Sequence, residues 1–166
     1  MKTVSKLLIV LTCMAVLLSA CAASATQETA TSNNSTSSSA TFAGTKLNLN
    51  TVTKDELLAT IPGFSSRMVR EFQEYRPYVS IQQFRREIGK YVGDAQVTEW
   101  EQYVYVPIAI NDSDAATLQQ IPGLDATEAD ALIAARPYAS TDEFLTKLGA
   151  YISADELTIA QTYLGE

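Results

Sequence analysis

The chain has 166 residues, 46% of them hydrophobic, and a formal net charge of −7. Without an apolar leader and a polar stretch behind it, roughly 120 residues remain, enough for one ordinary domain or two very small ones and too few for a large multidomain enzyme. There is no His, and one of the two Cys, Cys13, lies inside the leader. A His-based triad, a Cys/His zinc site and an intramolecular disulfide in the mature chain are therefore excluded.

At the amino end, Lys2 and Lys6 precede an apolar run from Leu7 to Leu18. Such a run is too short to cross ~30 Å of hydrocarbon and reads as a secretory signal over residues 1–20. The residues Leu18-Ser19-Ala20-Cys21 resemble the lipobox of bacterial lipoproteins. That resemblance implies acylation of Cys21 as the first mature residue, and several acyl chains hold a protein stably on a membrane surface. The alternative is ordinary cleavage near Ala20 or Ala25, which leaves Cys21 a lone thiol in an oxidising compartment. Ala22 stands where an inner-membrane retention signal has Asp, so the expected location is the bacterial envelope. In a two-membrane cell that means the outer membrane, and in a single-membrane cell the outer face of the plasma membrane. Residues 21–45 are rich in Ser, Thr, Ala and Asn, with Phe42 the one large apolar side chain. Nothing there offsets the entropy of ordering, so the segment reads as a disordered tether with a reach of roughly 27 Å.

Beyond the tether the chain repeats itself at an offset of sixty residues. Ile61-Pro62-Gly63-Phe64 returns as Ile121-Pro122-Gly123-Leu124, and Arg76-Pro77-Tyr78 as Arg136-Pro137-Tyr138. Ser80, Phe84, Gly89, Tyr91 and Tyr103 also recur at the same spacing. Asn50 precedes Pro62 by twelve positions and Asn111 precedes Pro122 by eleven, which places one extra residue in the first helix or its cap. The fold class is all-α, with about four short helices in each of two repeats, residues 46–107 and 108–166.

Helix starts follow from Ser, Thr or Asp with Glu or Gln three residues on: Thr53, Ser80, Asp125, Ser140 and Ser153. Pro77 and Pro137 are expected to stop the second helix of each repeat, and Gly89 and Gly149 the third. Met68, Val69, Phe72 and Tyr75, then Ile81, Phe84 and Ile88, then Val97, Trp100, Tyr103 and Val104 follow the spacing of buried helical faces. The stretch Tyr103–Ile108 reads as a helix end passing into an extended linker.

A helix ending in Ile-Pro-Gly, an apolar residue and a second helix resembles the helix-hairpin-helix motif. With Leu47-Asn48-Leu49-Asn50-Thr51 before it and Tyr-Arg-Pro-Tyr after it, the pattern resembles the competence-type DNA receptors of transformable bacteria, the ComEA-like family. It is also similar to the small extrinsic subunit of photosystem II, which uses that fold to bind protein. In DNA-binding members the turn is Gly-apolar-Gly, with backbone N–H groups approaching a phosphate. Here Gly63 and Gly123 keep the first glycine, but Ser65 and Asp125 replace the second. Asp125 puts a carboxylate where the phosphate would sit and is expected to cap its helix instead.

Charge separates the two repeats. Residues 45–107 hold eight basic and eight acidic side chains, whereas residues 108–166 hold two basic and ten acidic. Cleavage removes Lys2 and Lys6 and takes the side-chain charge from −7 to −9, the wrong sign for attracting nucleic acid at long range. Phosphate contacts, if made, fall to the first repeat: Gly63, Ser65, Arg67 and Arg70 at the turn, with Arg85, Arg86 and Lys90 on a later helix. The competing reading pairs Arg67 with Glu71 and Arg70 with Glu74 along one helix. Arg76 and Arg136 are expected to bond loop carbonyls or stack on Tyr78 and Tyr138. Glu71, Glu74, Asp112 and Asp114 read as solvated helix or cap residues, and no pair is marked for acid–base work.

Two functions remain. The first is a noncatalytic membrane-anchored module that binds an envelope protein or serves as a scaffold. The alternative is sequence-independent binding of double-stranded DNA through the first repeat. No cofactor and no metal is expected.

Overall fold

Seven of eight short helices start at a side-chain N-cap in the computed structural model, which describes residues 44–165. The signal peptide, Cys21 and most of the tether lie outside the described residues. Thr53 caps α1 (Lys54–Thr60), Ser65 caps α2 (Ser66–Glu74) and Ser80 caps α3 (Ile81–Val92). Helix α4 (Asp94–Trp100) follows Gly93, which offers no side-chain cap. In the second half Asp114 caps α5 (Ala115–Leu118), Asp125 caps α6 (Ala126–Ala134), Ser140 caps α7 (Thr141–Leu148) and Ser153 caps α8 (Ala154–Gln161). Each side-chain oxygen accepts a hydrogen bond from the N–H three residues on, satisfying a donor that the first helical turn leaves orphaned. Thr53, Asp125 and Ser153 add the reciprocal bond from their own N–H to a glutamate, completing a capping box.

The extra residue of the first half lies in α1. Asn50 and Asn111 each stand three positions before a cap, Thr53 and Asp114, so the insertion falls between the cap and Ile61, in α1. Helix α3 runs through Gly89 and ends at Val92, contrary to the expected stop, because the left-handed residue is Gly93 (φ +78°), whose N–H bonds the Gly89 carbonyl. Gly149 does cap α7.

The linker expectation is corrected as well. After Trp100 the chain turns, and β1 (Leu47–Asn48) pairs in parallel with β2 (Val104–Tyr105). The second half repeats this closure as a parallel bridge between Ile108 and Leu164. Leu47 N–H donates to the Tyr103 carbonyl at 2.8 Å and Ile108 N–H to the Tyr163 carbonyl at 2.7 Å. Two-residue strands are too short to leave an alternating pattern in sequence. Val104 and Val106 enter the first core, whereas Tyr105 and Ile108 enter the second, where Tyr105 stacks on Tyr163 at 4.5 Å. The connection is thus a buried seam shared by both halves.

The first core centres on Phe72, which meets Phe64, Phe84 and Trp100 edge-on at 4.7, 5.2 and 5.7 Å. The second gathers Leu118, Ile121, Leu132, Phe144 and Leu148. Helix α3 packs on α5 across the seam, where Ile81 N–H donates to the buried Thr117 hydroxyl at 3.0 Å. Gln120 accepts from Val106 N–H and donates to the Val106 carbonyl. No described helix is long and apolar enough to cross a membrane.

Candidate functional site

The Pro-Gly turns need a left-handed residue between two helices, and glycine supplies it at Gly63 (φ +68°) and Gly123 (φ +79°). Behind the first turn, Ser65 Oγ accepts from Met68 N–H at 3.3 Å. Behind the second, Asp125 accepts from Glu128 N–H at 2.8 Å and donates its own N–H back to Glu128 at 3.0 Å, so it caps the helix as expected.

The mouths of the two turns differ in a way the cap pattern does not reveal. At Gly123 a Cβ would lie 2.5 Å from Oε1 of Glu156, so that carboxylate rests directly on the glycine. At Gly63 a Cβ would meet nothing within 4 Å. Ser153 holds the plug, its N–H donating to Glu156 Oε2 at 2.8 Å and its hydroxyl at 2.7 Å. These bonds, the backbone one first, keep the Glu156 carboxyl below its ordinary pKa. Sixty residues earlier stand Gly93, which has no hydroxyl, and Gln96, whose amide donates to Glu99 at 2.9 Å. With nothing to hold Gln96 at the mouth, the first turn stays open.

That open mouth leads into a groove of about 410 Å³ lined by Gly63, Ser65, Arg67, Tyr91, Gln96 and Trp100, among others. The remaining expected cations are dispersed. Arg70 is exposed and reaches Glu71 only at 3.8 Å. Arg85 makes a two-pronged bond to Glu101 at 2.7 and 2.7 Å, on the flank of α3 that faces Gln119 and Gln120. Arg86 bonds Glu87 at 2.8 Å, and Lys90 shares the same carboxylate, which the two cations hold below its ordinary pKa. Among the described residues no ion pair within 4 Å includes Arg67.

The expected pairs Arg67–Glu71 and Arg70–Glu74 do not form. Glu71, expected in solvent, is 7% exposed, and the Tyr91 hydroxyl, 3.0 Å from that of Tyr75, has its pKa raised by Tyr75 first and then by Glu71. Exposed pairs at this spacing are worth too little to fix the side chains otherwise. Arg76 and Arg136 take the carbonyl option: Arg76 donates to Val52 at 2.7 Å, and Arg136 to Ile110 at 2.9 Å and Ser113 at 2.7 Å. Both are committed to holding the chain before α1 and α5. Among the described residues no group of three or more acids or cysteines could hold a metal ion.

Comparison with protein-family models, with curated proteins and with solved structures returns no match. The chain's own geometry therefore carries the functional reading.

Spacing gives Glu156 its cap partner Ser153 and Trp100 its buried face, but it does not give their places at these turns and does not single out Gln96. The sixty-residue offset pairs Gln96 with Glu156, but the carboxylate's approach to Gly123 spans 33 positions and depends on how α8 packs. A substitution separates the two mouths. Gly63→Ala is expected to cost about 1–2 kcal/mol from left-handed strain alone. Gly123→Ala, which must also dislodge Glu156 from its cap, should cost about 1 kcal/mol more. Urea unfolding of the two variants checks this, and equal losses would remove the plug from the account.

Proposed function

We propose that residues 46–107 and 108–166 form two tandem helix-hairpin-helix repeats of a noncatalytic module that binds a protein partner or acts as a scaffold. On this reading the module is held in the bacterial envelope by lipid on Cys21. The observation that carries it is Glu156 lying on Gly123: one of two equivalent turns is filled from within by a carboxylate, leaving no room for a phosphate. The dispersal of Arg85, Arg86 and Lys90 into contacts with Glu101 and Glu87 adds to it, because a nucleic-acid backbone needs several free cations on one face. The acidic balance of residues 108–166 acts in the same direction.

The alternative, DNA binding through the first repeat, draws on the open mouth at Gly63 with Ser65 and Arg67 beside it. A mobility-shift titration of the mature chain with double-stranded DNA of arbitrary sequence separates the two. No binding is expected at low salt. Binding that falls steeply with salt and is lost in Arg67→Glu/Arg70→Glu, while Thr127 and Asp130 variants bind normally, would establish the alternative.

A further inference from the structure

We propose that the mouth at Gly63 receives a carboxylate side chain from an acidic segment of a protein partner, in the place that Glu156 fills from within at Gly123. This rests on the protein-binding reading above and names the chemistry of the partner.

The molecule itself shows what such a mouth accepts. At Gly123 the group seated on the glycine is a carboxylate. At Gly63 the equivalent side chain, Gln96, is drawn to Glu99 and the place stands open. The groove holds donors suited to an acid. Trp100 is 4% exposed, it lines the groove, and its buried indole N–H has no hydrogen-bond partner among the described residues. Its counterpart in the second half is Ala160, which has no donor to satisfy. A buried N–H left without an acceptor costs free energy, so an incoming oxygen is favoured there. Ser65 Oγ already accepts from Met68 N–H, leaving its hydroxyl hydrogen to donate outward. Arg67 supplies the positive charge, and no carboxylate lines the groove.

A single carboxylate fits this set better than a nucleic-acid strand. One cation and a few neutral donors match one negative charge. A strand brings a row of phosphates, each repelled by the chain's net charge, and Arg85 and Arg86 are engaged with Glu101 and Glu87.

The test uses the mature chain, ¹⁵N-labelled, at low salt. Trp100 is the one tryptophan, so its indole N–H gives a unique resonance. The probes are a capped peptide bearing two glutamates, the same peptide with glutamines, inorganic phosphate, and a DNA duplex. The Trp100 indole and the Gly63 amide are expected to shift saturably with the glutamate peptide, with Gly123 unmoved. The glutamine peptide should bind roughly tenfold more weakly or worse. Arg67→Glu should abolish the shifts, and Ser65→Asp, which keeps a helix cap of the kind Asp125 provides, should weaken them by a similar factor. Absent shifts, or equal shifts with both peptides, overturn the carboxylate site while leaving the protein-binding reading in place. Saturation by the duplex or by phosphate at lower concentration than by the glutamate peptide also overturns it, and the duplex result overturns the protein-binding reading too.

Discussion

Phe72→Ala is expected to lower the unfolding free energy by about 4 kcal/mol, near the upper end for a single substitution. The ring is fully buried between Phe64, Phe84 and Trp100, three edge-on partners contributed by three different segments. Truncation removes the transfer energy of the ring and leaves a cavity that these stiff neighbours cannot collapse to fill. In a domain of this size, total stability is about 5–15 kcal/mol, so the variant should lose between about a quarter and four-fifths of it. Equilibrium urea unfolding followed by Trp100 fluorescence reads the loss directly. Val79→Ala, at a side chain 71% exposed, serves as the control and should change stability by less than about 0.5 kcal/mol. A loss below about 1.5 kcal/mol for Phe72→Ala would mean that the first core does not close around this ring.

Asn50→Ala and Asn111→Ala should each cost about 2–3 kcal/mol, far more than an ordinary turn asparagine. Asn50 donates from Nδ2 to the Tyr78 carbonyl at 2.9 Å and accepts from Tyr78 N–H at 2.7 Å. Asn111 repeats both bonds with Tyr138, at 3.0 and 2.8 Å. Each amide therefore stands in for a strand partner, tying the segment before the first helix to the loop after the second. Removing it leaves two backbone groups unpaired at half-buried positions. Asp at either position keeps the acceptor and loses the donor, so a smaller loss is expected. Thermal unfolding of both single variants and the double variant makes the check. Losses under about 0.5 kcal/mol would show that solvent replaces these bonds freely. Because α3 packs on α5 and Ile81 bonds Thr117, the double variant should still unfold in one transition.

Contacts within a few residues are legible in the sequence, and contacts between distant segments are not. Caps were readable because a side chain bonding the N–H three residues on involves nothing but its own neighbourhood: Thr53, Ser80, Asp125, Ser140 and Ser153 all cap as their spacing implies. The buried helical faces of Phe72, Phe84 and Ile88 followed from periodicity for the same local reason. The all-helical class and the sixty-residue offset needed nothing further.

Contacts between distant segments were decided elsewhere. The parallel closure of Leu47 on Val104 leaves no pattern in two residues. Glu71, expected in solvent from its place along α2, is buried, because burial is set by packing between elements and not by spacing along one helix. Which arginines are free is likewise a matter of packing, since Arg85 finds Glu101 across two helices rather than along its own. The composition of residues 108–166 determined by itself that the second half is acidic. Only the tertiary structure decided that one of its acids, Glu156, sits on Gly123 and closes that turn while Gly63 stays open, because a side chain's neighbours across 33 residues are set by how helices pack and not by sequence spacing.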